Sequence, residues 1–88
     1  MEFQREEGRI YAMEGDKLVA EITFPARDGT AEIDHTFVDD SLRGQGVAGA
    51  LVQAAADQIR ADGNKARVIC SYAKAWFAQH PEEGDLLR

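Results

Sequence analysis

Leu42-Arg43-Gly44-Gln45-Gly46-Val47-Ala48-Gly49-Ala50-Leu51 is the junction that decides how this chain folds. Downstream of it the apolar residues recur at helical period. Val47, Ala48, Leu51, Val52, Ala55, Ala56 and Ile59 form one stripe of a helix that runs to Asp62. The run is rich in alanine, which favours helix and allows close packing on a sheet. Gly63-Asn64 stops it. Just upstream, Asp39-Asp40-Ser41 is a helix-start cluster, and any of the three could cap orphan amides. Before that cluster the period is two. Thr30 to Val38 reads as a strand with Ala31, Ile33, His35 and Phe37 on one face. Glu32, Asp34, Thr36 and Val38 take the other.

Working outward in both directions gives the rest. Lys17 to Phe24 is a strand with Leu18, Ala20, Ile22 and Phe24 facing one way and Val19, Glu21 and Thr23 the other; Pro25 ends it. Arg9 to Glu14 alternates more loosely, with Ile10 and Ala12 opposite Tyr11 and Met13. Gly15-Asp16 and Arg27-Asp28-Gly29 are turn signals, so these strands form an antiparallel meander. After the long helix, Arg67 to Cys70 is a short strand. Ser71 can cap a last helix carrying Tyr72, Ala73, Trp76 and Phe77, which Pro81 ends; Leu86-Leu87 can dock. A strand on each side of the long helix makes a right-handed β-α-β unit with those two strands parallel. The expected class is α+β: a single domain over residues 1–88, with a mixed sheet and a helix on at least one face.

Composition agrees. The 88 residues are 44% hydrophobic and 30% charged, an ordinary globular balance. A chain this long buries roughly 64% of its extended surface, for a stability of about 4–13 kcal/mol. The lone Cys70 excludes an intrachain disulfide, and His35 and His80 lack a third ligand, so no metal is expected. A net charge of −6 argues against nucleic acid held through phosphates. No apolar run suits a membrane and no secretory signal is visible near the start, so a cytoplasmic protein is expected. Charge is uneven: residues 1–41 carry eleven acidic and four basic side chains, residues 42–76 two and five. That division suits an anionic ligand at the middle and a cationic one facing the first half.

The junction itself is an anion site. Gly44 and Gly46 let a ligand approach the backbone without meeting a Cβ. First-turn amides and the helix dipole favour a phosphate there, and Arg43 adds a charge. A P-loop is excluded because no Gly-Lys-Ser/Thr follows. A dinucleotide fingerprint fits poorly, for the segment follows a meander and lacks the third glycine.

Arg43-x-x-Gly46-x-Ala48 resembles the pyrophosphate signature of the GCN5-related N-acetyltransferases. His35-Thr36-Phe37-Val38, Leu42 to Ala48, and Cys70 to Phe77 with His80-Pro81 resemble a very small one-domain branch of that superfamily, over about residues 9–87. The resemblance implies acetyl-CoA as cofactor. Arg43, Gly44, Gln45, Gly46, Val47 and Ala48 would cradle its pyrophosphate, and the backbone of Phe37 and Val38 would pair with the pantetheine arm. The thioester would lie where the strands ending at Val38 and Cys70 splay apart, and an amine would take the acetyl group. Larger members carry helices between their first two strands, where this chain has only a tight turn. One sheet face is then left to water, a homodimer partner or a large substrate.

Three residues are candidates for the chemistry. Cys70 precedes a helix start, which favours thiolate, and could accept the acetyl group or sit beside the cofactor; a small buried hydrophobe is the plain alternative. His35 has a near-neutral pKa suited to a general base, though its place beside Ile33 and Phe37 also fits a core histidine. Tyr72 could protonate the leaving thiolate or simply pack on Trp76. With no obvious carboxylate base, a second reading stands beside the enzyme: an inactive acyl-CoA-binding or protein-interaction module.

Overall fold

The structure, a computed structural model, describes residues 1–88. Seven strands fall into two sheets. One is antiparallel, in the order β1 (Gln4–Glu6), β2 (Arg9–Glu14), β3 (Lys17–Thr23), β6 (His35–Val38). The other is mixed, in the order β4 (Ala26–Arg27), β5 (Thr30–Ile33), β7 (Lys65–Val68). Helix α1 (Val47–Ala61) crosses between them, and α2 (Ser71–Ala78) follows β7. β5 and β7 pair in parallel, as a β-α-β crossover requires. Only Gly15-Asp16 joins β2 to β3, and Asp28-Gly29, with φ of 54° and 80°, turns β4 into β5. No helix is long and apolar enough to cross a membrane.

The core lies between α1 and one face of the strands. Leu51, Val52, Ala55, Ala56 and Ile59 of α1 meet Ile10, Ala12, Ala20, Ile22, Ala31, Ile33 and Ala66, all fully buried. Small side chains on both partners bring helix and sheet close. Ala73, Trp76 and Phe77 of α2 and Leu86 of the tail close the end of the core. Leu87 bridges to Ala66, and the Arg88 amide donates to the Ala66 carbonyl, so the tail docks along β7.

The expected strand from Thr30 to Val38 is two strands. It breaks at Asp34, where β5 leaves the mixed sheet and β6 joins β3. The break reverses the alternation. Ala31 and Ile33 are buried as expected, but beyond Asp34 it is Thr36 and Val38 that turn inward, while His35 and Phe37 are exposed. His35 is therefore not a core histidine. A second break sits in β3. The β2–β3 register steps from Ala12↔Ala20 to Met13↔Leu18, leaving Val19 as the extra residue of a bulge. Val19 turns into the core, against the alternation that grouped it with Glu21 and Thr23.

Other boundaries move by a few residues. The Asp39-Asp40-Ser41 cluster opens a short 3-10 turn over Asp40–Leu42, with Asp39 accepting from the Ser41 amide and hydroxyl. The cap of α1 is Gly46, which has no side chain to offer. The late strand covers Lys65–Val68 instead of Arg67 to Cys70. Its ladder ends because β5 departs, and the Ile69 and Cys70 amides both fold onto the Ile33 carbonyl at 2.9 and 3.0 Å. Cys70, and not Ser71, then occupies the cap position of α2. β1 was not expected: its three residues are polar and exposed, and it is a short charged edge strand.

Candidate active site

The departure of β6 from β7 opens a split in the strand layer. Its vertex is the Ile33 carbonyl, its near wall is β6, and its far wall is the Ile69-Cys70 segment. Which backbone groups face the split follows from the β3–β6 register. The Asp39 amide donates to the Val19 carbonyl at 2.8 Å, so the odd-numbered residues of β6 direct their N–H and C=O at β3. Thr36 and Val38 direct theirs at the split. Of the two residues expected to offer a free strand edge, Val38 is placed to do so. The backbone of Phe37 belongs to β3, and Thr36 takes its place.

The mouth of the split leads to the signature loop. Gly44 and Gly46 have φ of 79° and 73°, a region that favours glycine. No protein atom lies within 4 Å of where a Cβ on either would stand, so their surroundings are open. The amides of Gly44, Gly46, Val47, Ala48 and Gly49 meet no acceptor within the chain; the first helical bond of α1 is Ala50 to Gly46, and Gln45 donates to Leu42. A concave loop of unpaired amides at a helix start fits a diphosphate. Arg43 stands beside it, exposed, with its Nε 3.0 Å from Asp40 Oδ1. That surface pair is weak, and the other guanidinium donors remain available.

The three candidate chemical residues do not converge. Cys70 and Tyr72 lie on the α1 side. The Cys70 sulfur is 3.5 Å from the Thr36 hydroxyl, across the split. Partial burial, the largest single influence, raises the thiol's pKa; the Thr36 hydroxyl and then the amides of Ala73 and Tyr72 oppose it, and the balance falls below the ordinary value. The thiolate therefore forms at lower pH than in a free cysteine. Alkylation of Cys70 by iodoacetamide should show its midpoint below that of an unstructured cysteine peptide. Thr36→Val should move the midpoint up, and coincident profiles for wild type, variant and peptide would refute this account of the thiol. Tyr72 is 43% exposed and does not pack as a core residue. Its hydroxyl and the Trp76 indole nitrogen stand 3.6 and 3.7 Å from where a Cβ on Gly49 would be, over the first turn of α1. His35 lies on the opposite, open face with Phe37. Its Nε2 is 3.3 Å from Glu21 Oε1. His80 stacks on Trp76 with Nδ1 2.7 Å from the Trp76 carbonyl oxygen, away from the split.

Two neighbours of the candidate residues are not marked by the sequence pattern: it places Thr36 on one face with Glu32, Asp34 and Val38, and Glu21 on one face with Val19 and Thr23, and singles out neither. Only the break at Asp34 places them. Asp34 falls in step with Glu32 and Thr36, so the alternation gives no sign of it.

The model of the GCN5-related N-acetyltransferases matches residues 9–86. The chain belongs to that family. Among solved structures, a GCN5-like protein of Staphylococcus aureus is similar to it over 99% of this chain and 87% of that one, with 31% identity and a TM-score of 0.80. Rv2747 from Mycobacterium tuberculosis, solved in complex with coenzyme A, shares the fold at TM-score 0.67 and 22% identity, over 84% of this chain and 47% of that one. The Xenopus tropicalis protein NATD1 is 35% identical over 52 residues, which are 59% of this chain and 48% of that protein. The matched segment thus spans about half the length of that curated relative. Only the Gly15-Asp16 turn stands between β2 and β3, as expected.

Proposed function

We propose that this family member binds acetyl-CoA and transfers its acetyl group to an amine. The observation that carries this reading is the row of unpaired amides at Gly44, Gly46, Val47, Ala48 and Gly49, opening onto a split strand edge. The diphosphate would rest on that loop, with Arg43 and Gln45 at its rim. The pantetheine amides would pair with Thr36 and Val38 as an added strand. The thioester would then reach the split beside Cys70 and Tyr72.

The amine would come from the open face, where the sheet carries no helix. His35 takes the proton of the incoming ammonium. The amine nitrogen bonds to the acetyl carbon, the carbon–sulfur bond breaks, and the sulfur leaves with the electron pair. Tyr72 supplies its proton. A second route is favoured by the lowered pKa of Cys70. Its thiolate could take the acetyl group first and hand it to the amine afterwards.

Calorimetry with coenzyme A, followed by thiol release from acetyl-CoA across a panel of primary amines, tests the reading. Binding with turnover supports it. Binding without turnover on any amine leaves an acyl-CoA-binding module, and no heat at millimolar coenzyme A removes both. Mass spectrometry after acetyl-CoA alone separates the routes: an acetyl adduct absent from Cys70→Ala marks the cysteine path.

A further inference from the structure

A line of side chains crosses three strands on the open face. Arg9 of β2 lies with its guanidinium 3.9 Å from the centre of the Tyr11 ring. Its Nε is 2.6 Å from Glu21 Oε2, and its Nη1 is 3.2 Å from Glu6 Oε1. The other Glu21 oxygen, Oε1, is 3.3 Å from His35 Nε2. The register sets Tyr11, Glu21 and Phe37 side by side on neighbouring strands, with Arg9, Thr23 and His35 in the next row. Glu21 therefore reaches diagonally in both directions, and both of its oxygens are engaged.

Burial separates this carboxylate from the ordinary surface acid. The Glu21 side chain is only 17% exposed on a face with no covering helix, while His35 is 52% exposed. Arg9 and Phe37 shelter the carboxylate, and the imidazole projects to solvent from the first residue of β6, next to the vertex of the split. Nε2 stands within ion-pair distance of Glu21, which favours the tautomer that carries its proton on Nε2 and its lone pair on Nδ1. No group of the chain hydrogen-bonds to that nitrogen. The charged groups facing the pair are Arg9 and Glu6 from β2 and β1, and Asp34 beside it, whose carboxylate accepts from the Thr23 hydroxyl.

We propose that Glu21 is a positioning residue for His35, holding Nε2 so that Nδ1 faces the mouth of the split as a proton acceptor. This rests on the reading of His35 as the base in acetyl transfer. The carboxylate orients the ring and offsets the positive charge formed when Nδ1 takes a proton. Arg9 holds the second oxygen and so fixes the carboxylate's own orientation. Glu21 itself touches neither the amine nor the thioester.

The test needs no knowledge of the natural acceptor. p-Nitrophenyl acetate reports an imidazole's reactivity directly through nitrophenol release, and Cys70→Ala removes the competing thiol. In that background at pH 8, His35→Gln should remove most of the protein-dependent release; His80, whose Nε2 keeps its lone pair when Nδ1 donates to the Trp76 carbonyl, is present in every variant and adds the same remainder to each. Glu21→Gln, which keeps the shape and loses the charge, should lower release by about fivefold or more. Glu21→Asp keeps the charge at shorter reach and should fall between. Melting temperature and coenzyme A affinity should match the Cys70→Ala parent in all three, which a merely structural role for Glu21 would not predict. Release unchanged within twofold in Glu21→Gln overturns the proposal, as does release that never depended on His35. Loss of coenzyme A binding in the parent would instead strike the acetyltransferase reading and leave the His35–Glu21 result standing.

Discussion

Gly46→Val is expected to lose coenzyme A affinity by at least about a hundredfold, nearly 3 kcal/mol, while Gly63→Val binds as wild type. The two glycines are a matched pair. Gly46 has φ of 73° and Gly63 of 76°, and at neither would a Cβ meet a protein atom within 4 Å. Valine is strained equally at both, at a cost of about 1–3 kcal/mol each. Both variants should melt lower by roughly 5–20 °C and remain folded at room temperature. They differ in position. Gly46 caps the start of α1 within the loop of unpaired amides, and Gly63 follows its end, about 25 Å away along the helix axis. A branched side chain at Gly46 would stand where the diphosphate approaches. Calorimetry on the two variants beside wild type decides it. Equal affinity for Gly46→Val and wild type would falsify the placement of the cofactor, and equal loss in both would show that strain alone was responsible.

The signature loop was legible because its chemistry is local. Two glycines, an arginine and the start of an alanine-rich stripe lie within a few residues, and each acts through its own backbone or reach. The long helix was legible for the same reason, since Val47 to Ile59 repeats at a period no strand would tolerate. The strand side of the candidate site was not. His35, Phe37, Thr36 and Val38 were assigned to faces by counting in twos from Ala31, and one irregular residue, Asp34, inverted all four. A break of that kind is set by the competition between β3 and β7 for one strand, which is a tertiary matter. The same holds for Val19, whose burial depends on a bulge in the pairing with β2. Cys70 lost its place at a strand end and gained one at a helix cap because its neighbour β5 turned away. Beside the edge strand β1, the features that escaped the sequence are the two irregularities of the sheet, and one of them creates the split.

Leu51→Ala should produce the reverse of the Gly46 result: a large loss of stability with the cofactor response intact. Leu51 is fully buried on α1, against the strands and one turn below the amides of the loop. Removing its side chain from a packed site costs about 2–5 kcal/mol, against a total of about 4–13 kcal/mol for a domain of this length. The melting temperature should fall by roughly 10–25 °C. The side chain points at the sheet, whereas the amides of Gly46 to Gly49 emerge at the helix end, so the loop keeps its shape once α1 is formed. Coenzyme A bound to the folded form as proposed would stabilise it by an amount set by its concentration over its dissociation constant, about 2.7 kcal/mol at a hundredfold excess. Thermal scans with and without coenzyme A should therefore show a lower baseline for Leu51→Ala and an upward shift similar to wild type. A melting point within about 3 °C of wild type would mean that α1 does not seat on the strands as described. A lowered melting point with no ligand response would mean that the loop depends on the packing beneath it, and that helix placement and diphosphate binding are one property of this chain.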